Sequence, residues 1–488
     1  MKTTRLGLMA VVLTGLCVNL AAAYTHYGTS VTANGGLLYW PSGSMTYRVN
    51  SQAASQFNIV QPGNVSSVID QAFGIWESGC GFNFTRGSQT SVTNAGYDAI
   101  NLVTFADTAA NRSALGGIAC RTILTFNSSN VIFDADILFH PDLTITTVSS
   151  STDVRQPNAH PLLPMMLGQA GHCIAVMSSP IQSASMMRYV AGRTAKTEAG
   201  RLGTFLTRDD QIAANVASAK TGFFTGTGTI SGYVTLGGAK VYGAHVVAVD
   251  AATGIVAAGN VSLGSNQGTK FGYYRIKGLP AGAYKLYAEP VDAPYASDNW
   301  EGIPSWGDYW GGDFTGGYRT TFQGGNAAPA SVQVAAGGTT AVNLAVSSGS
   351  HSILPIYNAL VPAGISPAQA ETGSVLYQTL NVHTPIVLKP GERRTVAVNG
   401  VGLIGTTISC SDPAMTVDVS GLRTGVLGDD TEYLIFQLAV PATSAEGPRN
   451  LIFKSGAETA VMTGAIYIDP QKPFIRRNSA DRTWRLME

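Results

Sequence analysis

One histidine lies in a stretch whose side chains could do chemistry: Gly168-Gln169-Ala170-Gly171-His172-Cys173-Ile174-Ala175-Val176-Met177-Ser178-Ser179-Pro180. A neutral imidazole can ligate a metal or move protons near neutral pH. On a helix, the residue four positions earlier shares its face. That residue is Gly168, which has no side chain. Gln169 cannot take up a proton, so it cannot act as a general base. Ser178 offers only a neutral hydroxyl. An open catalytic zinc site uses three protein ligands, and this stretch supplies one imidazole. His160 lies twelve residues before His172, about 18 Å along a helix axis. His26 and His140 are remote in the chain. Cys173 would point about 100° away from His172. Asp134 and Asp136 alternate along a strand-like run, open to a structural cation or to solvent. Met186 and Met187 are core filler or the floor of a site. No Ser-His-Asp spacing and no phosphate loop stands out.

Elements around this stretch must hold it in place. Val65, Val68, Ile69, Ala72, Phe73 and Trp76 recur at helical spacing behind Asn64, a capping residue. A second helix is expected over 161–177, carrying His172, and a third over 207–219. Strands are expected at 45–49, 99–103 and 131–139. These elements do not alternate as βαβ units, which predicts an α+β domain. From Thr225-Gly226-Thr227-Gly228 to about Ser348 the helical signal disappears and runs such as Thr229–Thr235 and Ala244–Val249 alternate as half-buried strands. The Gly-rich junction reads as a hinge between separately folding units. Residues 355–469 form a further strand-and-turn region, and 471–488 reads as a mobile tail.

Composition narrows the function classes. The 488 residues carry 30 Lys+Arg and 30 Asp+Glu, for a net charge of zero, and 45% are hydrophobic. Such a chain buries cores and is not disordered, and it lacks the basic excess of a nucleic-acid binder. Lys2 and Arg5 before Leu6–Leu13, followed by Ala21-Ala22-Ala23, read as a signal peptide over 1–23. The mature chain is therefore expected outside the cytoplasm, with no later membrane span. Cys80, Cys120, Cys173 and Cys410 fit no zinc module. A Cys80–Cys120 disulfide is expected because both lie in the first domain, although Cys173 shares it. Trp300, Trp306, Tyr309, Trp310 and Tyr318 cluster among glycines, as sugar- or partner-gripping aromatics or as a covered edge.

The stretch around His172 resembles the zinc helix of the matrixin branch of the metzincin metalloproteases, whose pattern is H-E-x-x-H-x-x-G-x-x-H. The resemblance places Gly168 at the first His, Gln169 at the general-base Glu and His172 at the second His. Ala175 falls at the turn Gly and Ser178 at the third His. Ser178–Met187 resembles the passage to the family's Met-turn, with Met187 as its methionine. Ile132–Phe139 resembles the strand before the zinc helix. Leu115-Gly116-Gly117-Ile118-Ala119 resembles the edge strand that pairs with substrate, and Leu206–Ile212 the start of the last helix. The region after residue 226 is similar to the carboxypeptidase regulatory-like, or transthyretin-like, β-sandwich, through Ile230–Val234, Gly243–Val246 and Gly272–Tyr284. The last region resembles a bacterial immunoglobulin-like sandwich in texture.

The organisation expected is thus a multidomain chain: signal peptide 1–23, α+β metzincin-like domain 24–225, two all-β sandwich domains at 226–348 and 349–470, and the tail 471–488. The expected function is that of a secreted pseudoprotease, a peptide- or protein-binding or structural module. No cofactor is expected, and no nucleic-acid partner. Two alternatives stay open: an active zinc metalloendopeptidase with unorthodox ligands, with zinc as its cofactor, and an extracellular adhesin acting through its sandwiches.

Overall fold

The computed structural model describes residues 38–52, 59–60, 64–147, 159–187, 202–264, 269–290, 315–361, 363–372, 385–427, 431–472, 474–477 and 484–487. The expected signal peptide over 1–23, His26 and four of the clustered aromatics (Trp300, Trp306, Tyr309 and Trp310) lie outside these residues. The described chain is mostly β, in several sheets.

The first region is built on five strands: β1 (Ser44–Val49), β2 (Asn83–Arg86), β3 (Asn101–Thr104), β4 (Cys120–Phe126) and β5 (Ile132–Phe139). Their order is β2-β1-β3-β5-β4. All neighbours are parallel except β4, which runs antiparallel to β5 at the edge. Helix α1 (Val65–Gly79) opens as expected, with Asn64 accepting from Ser67 N, and buries Val65, Ile69, Ala72, Phe73 and Trp76. These meet Met45, Tyr47 and Val49, the inward positions of β1. Helices α2 (Ala109–Leu115), α3 (Leu162–Cys173) and α4 (Arg208–Ala217) complete the region. The stretch 115–119 is not the edge strand: α2 ends there, with Gly116 at φ +58 and Gly117 at φ +86, and the edge strand is β4. Two glycines that look like part of an extended run instead supply a left-handed helix end.

The next region has two facing sheets. One centres on β6 (Thr227–Leu236) and the other on β7 (Ala244–Asp250), between β8 (Val256–Val261) and β10 (Gly282–Pro290); β9 (Tyr273–Pro280) pairs with β6. Gly232 on β6 permits a very close approach: a Cβ there would lie 1.7 Å from Val342 O. The last region also has two sheets. Their orders are β11-β13-β16-β15 and β12-β18-β17-β14, with β11 (Leu354–Leu360), β12 (Ile386–Leu388), β13 (Arg393–Val401), β14 (Thr407–Cys410), β15 (Thr416–Val426), β16 (Glu432–Ala439), β17 (Gly447–Ser455) and β18 (Glu458–Ile468). A short helix, Pro367–Thr372, interrupts the expected run of strands. The tail is not featureless: Phe474–Arg477 and Trp484–Met487 pair antiparallel.

The regions on either side of the junction at 225–228 pack against each other. One hydrophobic cluster runs from α1 and α3 through Ile212 into Ile230, Tyr274 and Leu286 of the second region. Arg208 donates to Gly278 O at 2.9 Å and stacks on Phe223, while Lys277 lies over the Phe224 ring. Glycine gives the turn its positive φ at Gly222 and Gly226, and shared apolar burial ties the two regions together.

Candidate functional site

Helix α3 is buried on nearly every side. Between Pro161 and Met187 only Gly168 is partly exposed. A helix without a polar face belongs inside a fold, and two indoles secure it there. Trp76 Nε1 donates to Leu167 O at 2.7 Å, and Trp40 Nε1 donates to Cys173 O at 2.8 Å. Gly171 permits the contact with α1, since a Cβ there would lie 2.5 Å from both Met186 Sδ and Trp76 Cζ2.

The helix ends at Cys173, short of the expected 177. Ala175 N bonds to His172 O at 2.9 Å, and Ala175 takes a left-handed φ of +61. A Cβ in that conformation crowds the following carbonyl, at about 1–2 kcal/mol. Ala175→Gly should therefore raise stability by about 0.5–1 kcal/mol, after the larger unfolded-state entropy of Gly is subtracted. Chemical denaturation of the single variant checks this, and a lower midpoint would show that the strain is not there.

The turn folds Val176 O back under His172, whose Nδ1 lies 2.8 Å from it. A carbonyl only accepts, so Nδ1 carries the proton and Nε2 the lone pair. Burial lowers the pKa of His172 to about 4, keeping the ring neutral. This is the tautomer and charge state of a metal-ligating histidine with its second nitrogen anchored. The ligand set around it is missing. Gly168 supplies no donor, although a Cβ there would meet nothing within 4 Å. Gln169 is drawn to β4, where Thr122 Oγ1 donates to its Oε1 at 2.8 Å and to its carbonyl at 3.0 Å. Ser178 is 3% exposed, packed where a larger ring has no space without rearrangement. Among the described residues no group of three His, Cys, Asp or Glu is placed to hold a metal ion.

The methionine beneath the helix is Met186, not Met187. Met186 packs against Gly171 and joins the α1–α3 core, whereas Met187 turns to Leu202, Val387 and Tyr467. Asp210 holds this loop by accepting from Ser185 N at 2.8 Å and Met186 N at 3.0 Å, and it also accepts from Thr207 N at 2.9 Å. Its neighbour Asp209 accepts from Ser179 Oγ at 2.8 Å and from Gly259 N of β8 at 3.1 Å. Both acids occupy the first turn of α4, where the helix dipole favours negative charge. Sequence reasoning saw them only as a helix start. Burial, then Asp210, raises Asp209 to about 7.

Asp134 and Asp136 are buried rather than solvated. Asp136 accepts from Leu102 N and Gly96 N, both at 2.9 Å, and Asp134 accepts from Asp98 N at 3.3 Å. Backbone N–H groups aimed at these carboxylates occupy directions a cation would need. Burial is the main cause that raises Asp134 to about 6 and Asp136 to about 8.

No disulfide joins Cys80 and Cys120. Cys80 caps α1 and its thiol donates to Trp76 O at 3.2 Å, whereas Cys120 opens the edge strand. His140 sits in a turn where Asp142 N donates to its Nδ1 at 3.2 Å. Tyr318, 1% exposed, is a core residue. Compared with known protein families and with curated proteins, the chain matches none.

Proposed function

We propose that this chain is a secreted pseudoprotease of matrixin type, which binds an extended peptide along β4 and does not cleave it. The observation that carries this reading is the state of His172. The ring is neutral, anchored at Nδ1 and set on a helix that ends in a left-handed turn over a methionine. The positions that would complete a zinc site hold Gly168 and Ser178, and the general-base position holds Gln169, held by Thr122. The sheet order, with one antiparallel edge strand beside the helix, supports the same assignment. Among the described strands β4 pairs with β5 alone, and a strand at the edge of a sheet offers backbone groups for a peptide to pair with. Among the described residues no helix is long and apolar enough to cross a membrane.

The zinc peptidase reading draws on the same tautomer of His172 but lacks ligands. Zinc stoichiometry on the purified mature chain separates the two. Far less than one zinc per chain is expected, with no cleavage of general peptide substrates. One tightly held zinc ligated by His172 would overturn the proposal. The open space at Gly168 gives a second test. Gly168→His should fold as well as the parent, since interior Gly is worse in a helix by roughly 0.3–0.5 kcal/mol than His. It would set two imidazoles at i and i+4. Zinc should then raise the melting temperature of this variant and leave the parent unchanged, still without peptidase activity. Equal response of both proteins to zinc would count against the geometry described.

A further inference from the structure

The loop 178–187 is clasped between the two β regions. Gln182 N donates to Thr463 O at 2.9 Å. Ile181 and Ala184 pack with Val247, Val249 and Tyr287 of the second region and Val461 of the third. Gly464, at φ +69, allows the approach: a Cβ there would lie 2.5 Å from Ile181 Cγ2 and 3.0 Å from Ser183 Oγ. A buried polar chain crosses the seam. Asn450 Nδ2 donates to Tyr287 OH at 3.0 Å, Tyr287 bonds to Thr463, and Thr463 Oγ1 donates to Glu289 Oε1 at 2.8 Å. His245 Nδ1 donates to the same oxygen at 2.8 Å.

The seam is incompletely satisfied. Gln182 Nε2, Ser183 Oγ, Asn358 Oδ1 and His245 Nε2 are buried and meet no hydrogen-bond partner among the described residues. Each of these residues is at most 3% exposed. A buried polar group left unpaired forfeits its hydration, and water would restore it on opening. The apolar contacts hold the seam shut while the unpaired atoms favour opening. We propose that the contact of this loop with the third region is a releasable latch, which opens well below the cost of global unfolding and uncovers the loop that carries Met186 under α3.

Amide hydrogen exchange on the full chain tests this. The Gln182 amide crosses the seam, whereas the Val247 amide lies in β7, paired on both sides. Under conditions where closing outpaces exchange, Gln182 should exchange at least about 100-fold faster than Val247. Ser183→Ala removes one unpaired hydroxyl and should slow the Gln182 amide by about 5-fold or more, leaving Val247 unchanged. Gly464→Ala should speed it. Equal, slow exchange of both amides in the parent would mean that the seam opens only with global unfolding. A Ser183→Ala variant with unchanged or faster Gln182 exchange would show that the hydroxyl does not bias the seam. Either result overturns the latch.

Discussion

Stability should be highest near pH 4 and fall by several kcal/mol as the pH rises from 5 to about 8. Asp136, Asp134 and Asp209 have folded-state values near 8, 6 and 7, raised first by burial. Their unfolded values lie near 3.9. Between those limits the folded chain binds more protons than the unfolded one, so stability declines with rising pH. Each group contributes a slope of up to about 1.4 kcal/mol per pH unit. The contribution is complete below about pH 4 and lost as the pH passes each folded value. His172 works the other way. Its value is lowered to about 4, so its contribution is complete above about 6.5 and lost as the pH falls. Three acids outweigh one imidazole throughout this range, and below about pH 4 the exposed carboxylates of the ion pairs, held below their usual range, turn the curve over. Urea midpoints at pH 5, 6.5 and 8 measure this, and a midpoint that climbs from pH 5 to 8 is incompatible with it. Asp136→Asn should flatten the upper limb, at a local cost of about 1 kcal/mol for one mismatched backbone N–H.

Gly171→Ala should cost about 3 kcal/mol, a large effect for one methyl group. The added carbon would stand 2.5 Å from Met186 Sδ on one side and from the Trp76 ring on the other. The thioether can move, but the indole is fixed by its bond to Leu167 O. Helix α3 would have to lift from α1, and His172 would shift with it. A double-mutant cycle assigns the cause. Met186→Ala should cost roughly 1–2 kcal/mol less in the Gly171→Ala background than in the parent, because the shorter side chain vacates the contested space. Strictly additive costs would show that the collision with Met186 is not the cause, since helix propensity alone favours Ala over Gly.

Much of the first region was legible because its signals are local. Asn64 and the Val65–Trp76 stripe give α1 and its cap, and Thr207 with Asp210 marks the start of α4. The His172 stretch was legible as an isolated imidazole without co-ligands. The end of α3 was not, because an alanine holds a conformation that usually signals itself with glycine. Met187 and Met186 are adjacent and alike; only the packing of Gly171 tells which lies under the helix. The packing across residue 225 and the seam at Thr463 depend on contacts between distant segments, and no local pattern encodes them. The paired strands Phe474–Arg477 and Trp484–Met487 show the limit of periodicity for strands of four residues.

The clasp on the 178–187 loop also has a consequence for synthesis. Thr463 leaves the ribosome 281 residues after Gln182. At about 5–20 residues per second, that is a wait of roughly 15–60 s. Throughout it Ile181 and Ala184 lack their partners from the last sheet, and the first region keeps an apolar strip in water. A nascent chain of this kind is a client for a holding chaperone until its final strands emerge. A chain released before β18 would keep that strip exposed and reach the cell as an aggregation-prone fragment.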